Sequence, residues 1–141
     1  MSYDPNNIFA KILRGEAPCV KIYEDDHTLA MMDIMPQSDG HTLVLTKEPA
    51  ATLFDMTPEG AAACIRTAQK VARAVRDVVR PEGVVVSQFN GAAAGQTVFH
   101  VHFHIVPRTA GEKLRGHGRD MVDPASLQPL ADKLRAALAQ A

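Results

Sequence analysis

His100, His102 and His104 alternate with apolar residues in the run His100-Val101-His102-Phe103-His104-Ile105-Val106. In an extended backbone this spacing sends three imidazoles to one face and Val101, Phe103 and Ile105 to the other. Half of the chain's six histidines fall within these five residues. Three uses are open to such a ridge. The imidazoles can satisfy one another on a core face, at the cost that burying polar groups always carries. They can ligate a metal, since His-x-His on a strand is a usable pair, although the nearest following carboxylates, Glu112 and Asp120, lie in the loop beyond. Or one imidazole can act as a nucleophile toward phosphorus, a role that suits a base substantially neutral near pH 7 and held in one tautomer by its second nitrogen.

The ridge needs elements to hold it. Ile8, Phe9, Ile12 and Leu13 are spaced for one face of a short helix over Ile8 to Arg14, stopped by Gly15. Val20 to Tyr23, Leu29 to Asp33 and Thr42 to Thr46 read as a three-stranded meander, with the turn 24–27 and the loop 35–40 between them and His41 opening the third strand. Thr57 caps a long helix that begins at Pro58. Its stripe is Cys64/Ile65, Ala68, Val71/Ala72, Val75 and Val78/Val79, and Pro81 and Gly83 end it. Val84 to Phe89 and Val98 to Val106 are the remaining strands, separated by the small-residue loop 90–95. Arg108 to Asp123, with three glycines and the basic side chains of Arg108, Lys113, Arg115, His117 and Arg119, reads as a mobile loop. From Ser126 a last helix carries Leu127, Leu130, Leu134 and Leu138 on one stripe, to dock on the sheet or on another subunit. Antiparallel strands with helices added at intervals make the class α+β.

Composition sets broad bounds. The 141 residues fit one domain, 46% hydrophobic and 22% charged, which is globular rather than disordered. A net charge of -1 offers no footprint for nucleic acid. No basic-then-apolar leader opens the sequence, and no apolar run nears the roughly 20 residues of a membrane span. Two distant cysteines, Cys19 and Cys64, suit a reducing compartment; cytoplasmic is the expectation.

Four ordered blocks carry a family resemblance. His100-Val-His102-Phe-His104-Ile-Val-Pro-Arg resembles the histidine triad of the HIT superfamily. Ile8 to Pro18 is similar to that family's opening helix, Asp33-Ile34-Met35-Pro36-Gln37 with Gly40-His41-Thr42-Leu43-Val44 to its nucleotide-pocket segment, and Gly95-Gln96-Thr97-Val98 to the stretch before the triad. The resemblance spans about residues 8–108, leaving 109–141 as a loop and helix extension, and its Hint-type purine nucleoside phosphoramidase branch is the most similar. It implies a HIT fold of about five antiparallel strands with one main helix, a short N-terminal helix and a C-terminal helix.

The resemblance also implies site roles. His102 attacks the α-phosphorus of a purine nucleoside phosphoramidate or related AMP-X compound, forms a nucleotidyl-histidine, and water then releases the nucleoside monophosphate. The carbonyl of His100 holds Nδ1–H of His102. His104 donates to a phosphate oxygen, and His100 with His41 forms a supporting hydrogen-bond chain. Asp33 accepts from the ribose hydroxyls, and Ile8, Phe9, Ile12, Met31 and Ile34 enclose the purine. Gly95 lets backbone approach the phosphate, while Gln96 and Thr97 place amide and hydroxyl groups beside it. Alternatives within the resemblance are a dinucleoside polyphosphate hydrolase and a nucleotide-binding regulatory protein with little turnover. No cofactor is required, although Mg²⁺ can accompany polyphosphate substrates. A homodimer with joined sheets is implied, with no membrane or nucleic-acid partner.

Departures from the pattern are informative. Many relatives carry Asn-Asn-Gly or Asn-x-Gly where this chain reads Phe89-Asn90-Gly91, so a phosphate or ribose contact made from the first position is either lost or taken up by Asn90. Some relatives bind zinc through Cys-x-x-Cys and a later His. Here Asn7 and Ala10 stand at the cysteine places, and Lys47-Glu48-Pro49 has no histidine, so no metal site is expected.

Overall fold

In the computed structural model, which describes residues 2–116 and 120–140, each of the three α-helices described begins at a capping side chain. Asn7 accepts from Ala10 N–H at 2.9 Å and starts α1, Ile8–Leu13. Thr57 accepts from Gly60 N–H at 3.0 Å and starts α2, Pro58–Val79, which closes on Arg80 in the left-handed region. Asp123 accepts from Ala125 N–H at 3.0 Å and starts α3, Pro124–Ala139, two residues before the sequence expectation.

Between the helices run β1 (Lys21–Glu24), β2 (Thr28–Met32), β3 (Thr42–Thr46), β4 (Gly83–Ser87) and β5 (His102–Arg108). They form one antiparallel sheet of order β1-β2-β3-β5-β4. The architecture is α+β, with the expected meander followed by a helical crossover to the β4 edge. Strands β2 and β3 are buried throughout because both faces of the sheet are covered. One face packs Ala30, Met32, Val44, Phe103 and Ile105 against α2. The other sets Leu29, Met31, Leu43 and Leu45 against Phe9 of α1.

Three expectations need correction. The histidine strand begins at His102 rather than Val98, because Val101 donates to Ala50 O at 2.9 Å and so follows the chain leaving β3 instead of pairing regularly. Ile65 lies off the buried stripe of α2 and is 55% exposed; the inward face is Ala63, Cys64, Thr67, Ala68, Val71, Ala74 and Val75. The described flanks of the segment after β5 are bonded to the loop that follows β2, where the sequence suggested mobility. Arg115 N–H donates to Gln37 O and Val122 N–H to Ile34 O, each at 2.8 Å, and the Arg115 guanidinium pairs with Asp39. His117 and Arg119 lie outside the described residues. Helix α3 docks within its own chain, burying Ala131, Leu134 and Leu138 in the main core. Among the described residues no helix is long and apolar enough to cross a membrane.

Candidate active site

Strand β5 aligns His104 with Leu43 and His102 with Leu45 of β3, so both imidazoles stand on the sheet face covered by α1. Phe9 of α1 meets the His102 ring edge-on, with centroids 4.8 Å apart. The two rings of His102 and His104 are themselves 4.9 Å apart. Beside them opens a cavity of about 320 Å³. Ile8, Phe9, Ile12, Met31 and Ile34 all line it, as the resemblance implied. Asp33, Thr97, His102 and His104 supply its polar edge, and Cys19 joins the apolar wall. An apolar slot ending in a few convergent polar groups suits a flat heteroaromatic ring with a polar tail.

Hydrogen bonding fixes the imidazole tautomers in two separate arrays. In the first, Gln37 N–H donates to His41 Nδ1 at 3.0 Å. A backbone amide only donates, so the His41 proton is on Nε2. That nitrogen lies 3.0 Å from His104 Nδ1 and 3.3 Å from an Asp33 oxygen. His104 therefore accepts at Nδ1 and carries its proton on Nε2. The other Asp33 oxygen accepts from Met35 N–H at 2.8 Å, which holds the carboxylate still. Gly40, at φ +96°, lets the loop before His41 press against Val79 and Pro107, where a Cβ would sit only 3.0 Å and 3.1 Å from their side chains.

In the second array His100 donates from Nε2 to Thr46 O at 2.7 Å, because a carbonyl only accepts. Its Nδ1 then accepts from the Tyr3 hydroxyl at 2.7 Å. The carbonyl of His100 accepts from His102 Nδ1–H, also at 2.7 Å. The neutral His102 ring thus carries its lone pair on Nε2. Burial pushes the His100 imidazole below its ordinary value, in keeping with a neutral ring. The expected single relay of His100 and His41 is in fact two relays. One steadies the acceptor-side nitrogen of His104 and the other the donor-side nitrogen of His102.

Other expected residues serve the loop that borders the site. Gln96 is buried and spends its amide on backbone, accepting from Gly91 N–H at 2.7 Å and donating to Ala51 O and Val98 O. Asn90 accepts from Leu53 N–H at 2.7 Å and exchanges bonds with Gln88. Neither side chain lines the cavity. Gly95 takes φ +101°, the left-handed turn that an alanine would strain. Phe89 tilts against the His104 ring at 5.3 Å, giving that ring an apolar neighbour. Tyr3, Thr46 and the Gln37 amide were not legible as site residues: two act through backbone atoms, and Tyr3 lies 97 positions from its partner.

A zinc site built on the first triad histidine does not fit this chain. Asn7 caps α1, Ala10 is packed in the helix, and both ring nitrogens of His100 are already committed. The fold does bring a carboxylate to the histidines, contrary to the sequence expectation. Asp33, His41 and His104 present atoms within 4.8 Å of one another, and the 3.0 Å separation of the two ring nitrogens is that of a shared proton.

Comparison with known proteins matches the HIT domain to residues 14–111. The chain is 39% identical over 139 residues to Protein hit of Bacillus subtilis, across 95% of each sequence. It is 39% identical over 129 residues to adenosine 5'-monophosphoramidase hnt1 of Schizosaccharomyces pombe, across 90% of this chain and 94% of that one. A crystal structure of a Hit-like protein from Bartonella henselae superposes with a TM-score of 0.89 at 46% identity, covering 96% of this chain and 99% of that chain.

Proposed function

Because the chain belongs to the HIT domain family, we propose that it hydrolyses purine nucleoside phosphoramidates or related AMP-X compounds through a nucleotidyl intermediate on His102. The observation that carries this reading is the bond from His102 Nδ1–H to the His100 carbonyl, which leaves Nε2 as the basic nitrogen of a ring lining the cavity. The purine enters the slot between α1 and β2, and the ribose hydroxyls donate to Asp33.

In the first step the Nε2 lone pair bonds to the α-phosphorus. The bond from phosphorus to the amine breaks, and the amine leaves with the bonding pair and a proton from water. His104 Nε2–H donates to a phosphoryl oxygen as charge gathers there. In the second step water bonds to phosphorus and the His102–phosphorus bond breaks, its pair returning to Nε2. The proton released from that water balances the one taken by the leaving group. The similarity to a monophosphoramidase from Schizosaccharomyces pombe supports this substrate class.

Two copies are proposed to join through β4, the sheet edge on which Val85 and Val86 are 47% and 48% exposed. Rapid mixing with an adenosine phosphoramidate followed by intact-mass measurement tests the chemistry. A transient adenylyl adduct on His102, missing in His102→Ala and His102→Gly, is expected. Tight binding with neither adduct nor AMP release would overturn it and leave a nucleotide-binding protein.

A further inference from the structure

Tyr3 closes the array behind the nucleophile, although it is the third residue of the chain and sits in no regular element. Its hydroxyl is 2.7 Å from His100 Nδ1, and the two rings stack at a tilt with centroids 5.7 Å apart. His100 is 1% exposed, so a lone pair on Nδ1 lacking this donor would be buried and unsatisfied. The remaining nitrogen is fixed on Thr46 O. A ring pinned at both nitrogens also pins its own backbone, and the carbonyl of that backbone sets the tautomer of His102.

The N-terminal segment is itself tied down. Asn7 donates from its side chain to Asp4 O at 2.7 Å, Asn6 N–H bonds to the Asp4 carboxylate at 2.8 Å, and Arg14 donates to Pro5 O at 2.7 Å. These bonds fasten the segment to α1, whose Phe9 touches both His100 and His102. The same short stretch of chain therefore walls the cavity with α1 and reaches behind the triad with Tyr3.

We propose that Tyr3 is a positioning residue: its hydroxyl, bonded to Nδ1, holds in place the His100 ring whose Nε2–H tautomer Thr46 O sets, and through the His100 carbonyl it keeps the lone pair of His102 on Nε2. Tyr3 does not line the cavity, so its action is through His100. The rate readout rests on the proposed chemistry, whereas the tautomer readout does not.

The test is Tyr3→Phe in protein labelled with ¹⁵N at histidine, followed by long-range ¹H–¹⁵N spectra without nucleotide. The native spectrum should show His100 protonated on Nε2 with a hydrogen-bonded Nδ1, and His102 protonated on Nδ1. In Tyr3→Phe the His100 Nδ1 resonance should move to the position of an unbonded imine nitrogen, and His102 should become a mixture of tautomers. Adduct formation should slow about tenfold, with AMP affinity changed by less than about twofold. Tyr3→Ala should match it in both readouts. An unchanged His102 tautomer with an unchanged adduct rate would overturn the proposal. So would equal losses of AMP affinity and rate, because that pattern belongs to a general loosening of α1. If native protein forms no adduct, the chemistry fails while the spectra still decide whether Tyr3 governs the tautomer of His102.

Discussion

The Nε2 atom of His41 lies 3.0 Å from Nδ1 of His104, a contact between side chains 63 residues apart. Since Gln37 N–H already occupies the far nitrogen of His41, the proton between the rings belongs to His41. His104 is thereby left with its own proton on Nε2, turned into a donor by a neighbour that need not touch substrate. The same logic governs His102, where a backbone carbonyl takes the place of the neighbouring ring. Backbone amide and carbonyl groups cannot exchange roles, so they are dependable setters of tautomer.

Loss of the His41 donor should therefore be read in the rate. His41→Leu is expected to lower kcat about a hundredfold, since His104 becomes free to place its proton on the wrong nitrogen. AMP affinity should change little. Steady-state kinetics with an adenosine phosphoramidate, beside equilibrium binding of AMP, separates the two quantities; an unchanged kcat would refute the assigned relay.

Replacing His102, the proposed nucleophile, should be more severe. His102→Gly is expected to lower AMP release at least about a thousandfold, as for other residues that form the covalent bond. Added imidazole should restore part of the rate, because the vacated space beside Phe9 admits the free ring. Initial rates with and without imidazole check this.

Stability should fall in acid because of His100. Burial lowers its folded-state value below the unfolded 6.5, so below that pH the unfolded chain binds more protons than the folded one. The His100 contribution is thus complete above about pH 7 and is lost as pH falls from 6.5 toward the folded value. Urea midpoints at pH 7.5 and 5.5 should differ more for native protein than for His100→Gln. Equal differences would mean that other groups cause the acid sensitivity.

The two cysteines should respond differently to alkylation. Burial raises both thiols, Cys64 to about 11, and Cys64 is fully buried in the main core. Cys19 is half-buried in the cavity wall, so a slow reaction with iodoacetamide should occur there and be suppressed by AMP. Peptide mapping after alkylation at pH 8, with and without AMP, reports both sites. Labelling of Cys19 that ignores AMP would place the nucleotide elsewhere.

Helix α3 should matter for stability rather than chemistry. Leu134 is fully buried among residues of the main core, and Leu134→Ala is expected to cost about 2–5 kcal/mol in urea unfolding. The β4 edge should behave in the opposite way, with Val86→Glu splitting the proposed dimer in sedimentation while leaving the subunit folded. A native protein that sediments as a monomer would remove the joined-sheet proposal.

The sequence by itself determined the elements and the face on which the chemistry sits. Thr57 and the Pro58 start announce a helix through local backbone needs, and the alternation of His102, Phe103, His104 and Ile105 assigns polar and apolar faces because strand geometry repeats every two residues. That Phe9 and Ile34 share one cavity wall was also legible, through the family resemblance of the segments around them. The tertiary structure alone decided which nitrogen of each imidazole bears the proton. It separated the His100 and His41 relays, turned the Gln96 and Asn90 amides inward to the loop, and carried Tyr3 across 97 residues to His100. Hydropathy and capping are properties a residue carries along the chain, whereas a tautomer is set by a partner atom about 3 Å away, supplied only when distant segments close upon one another.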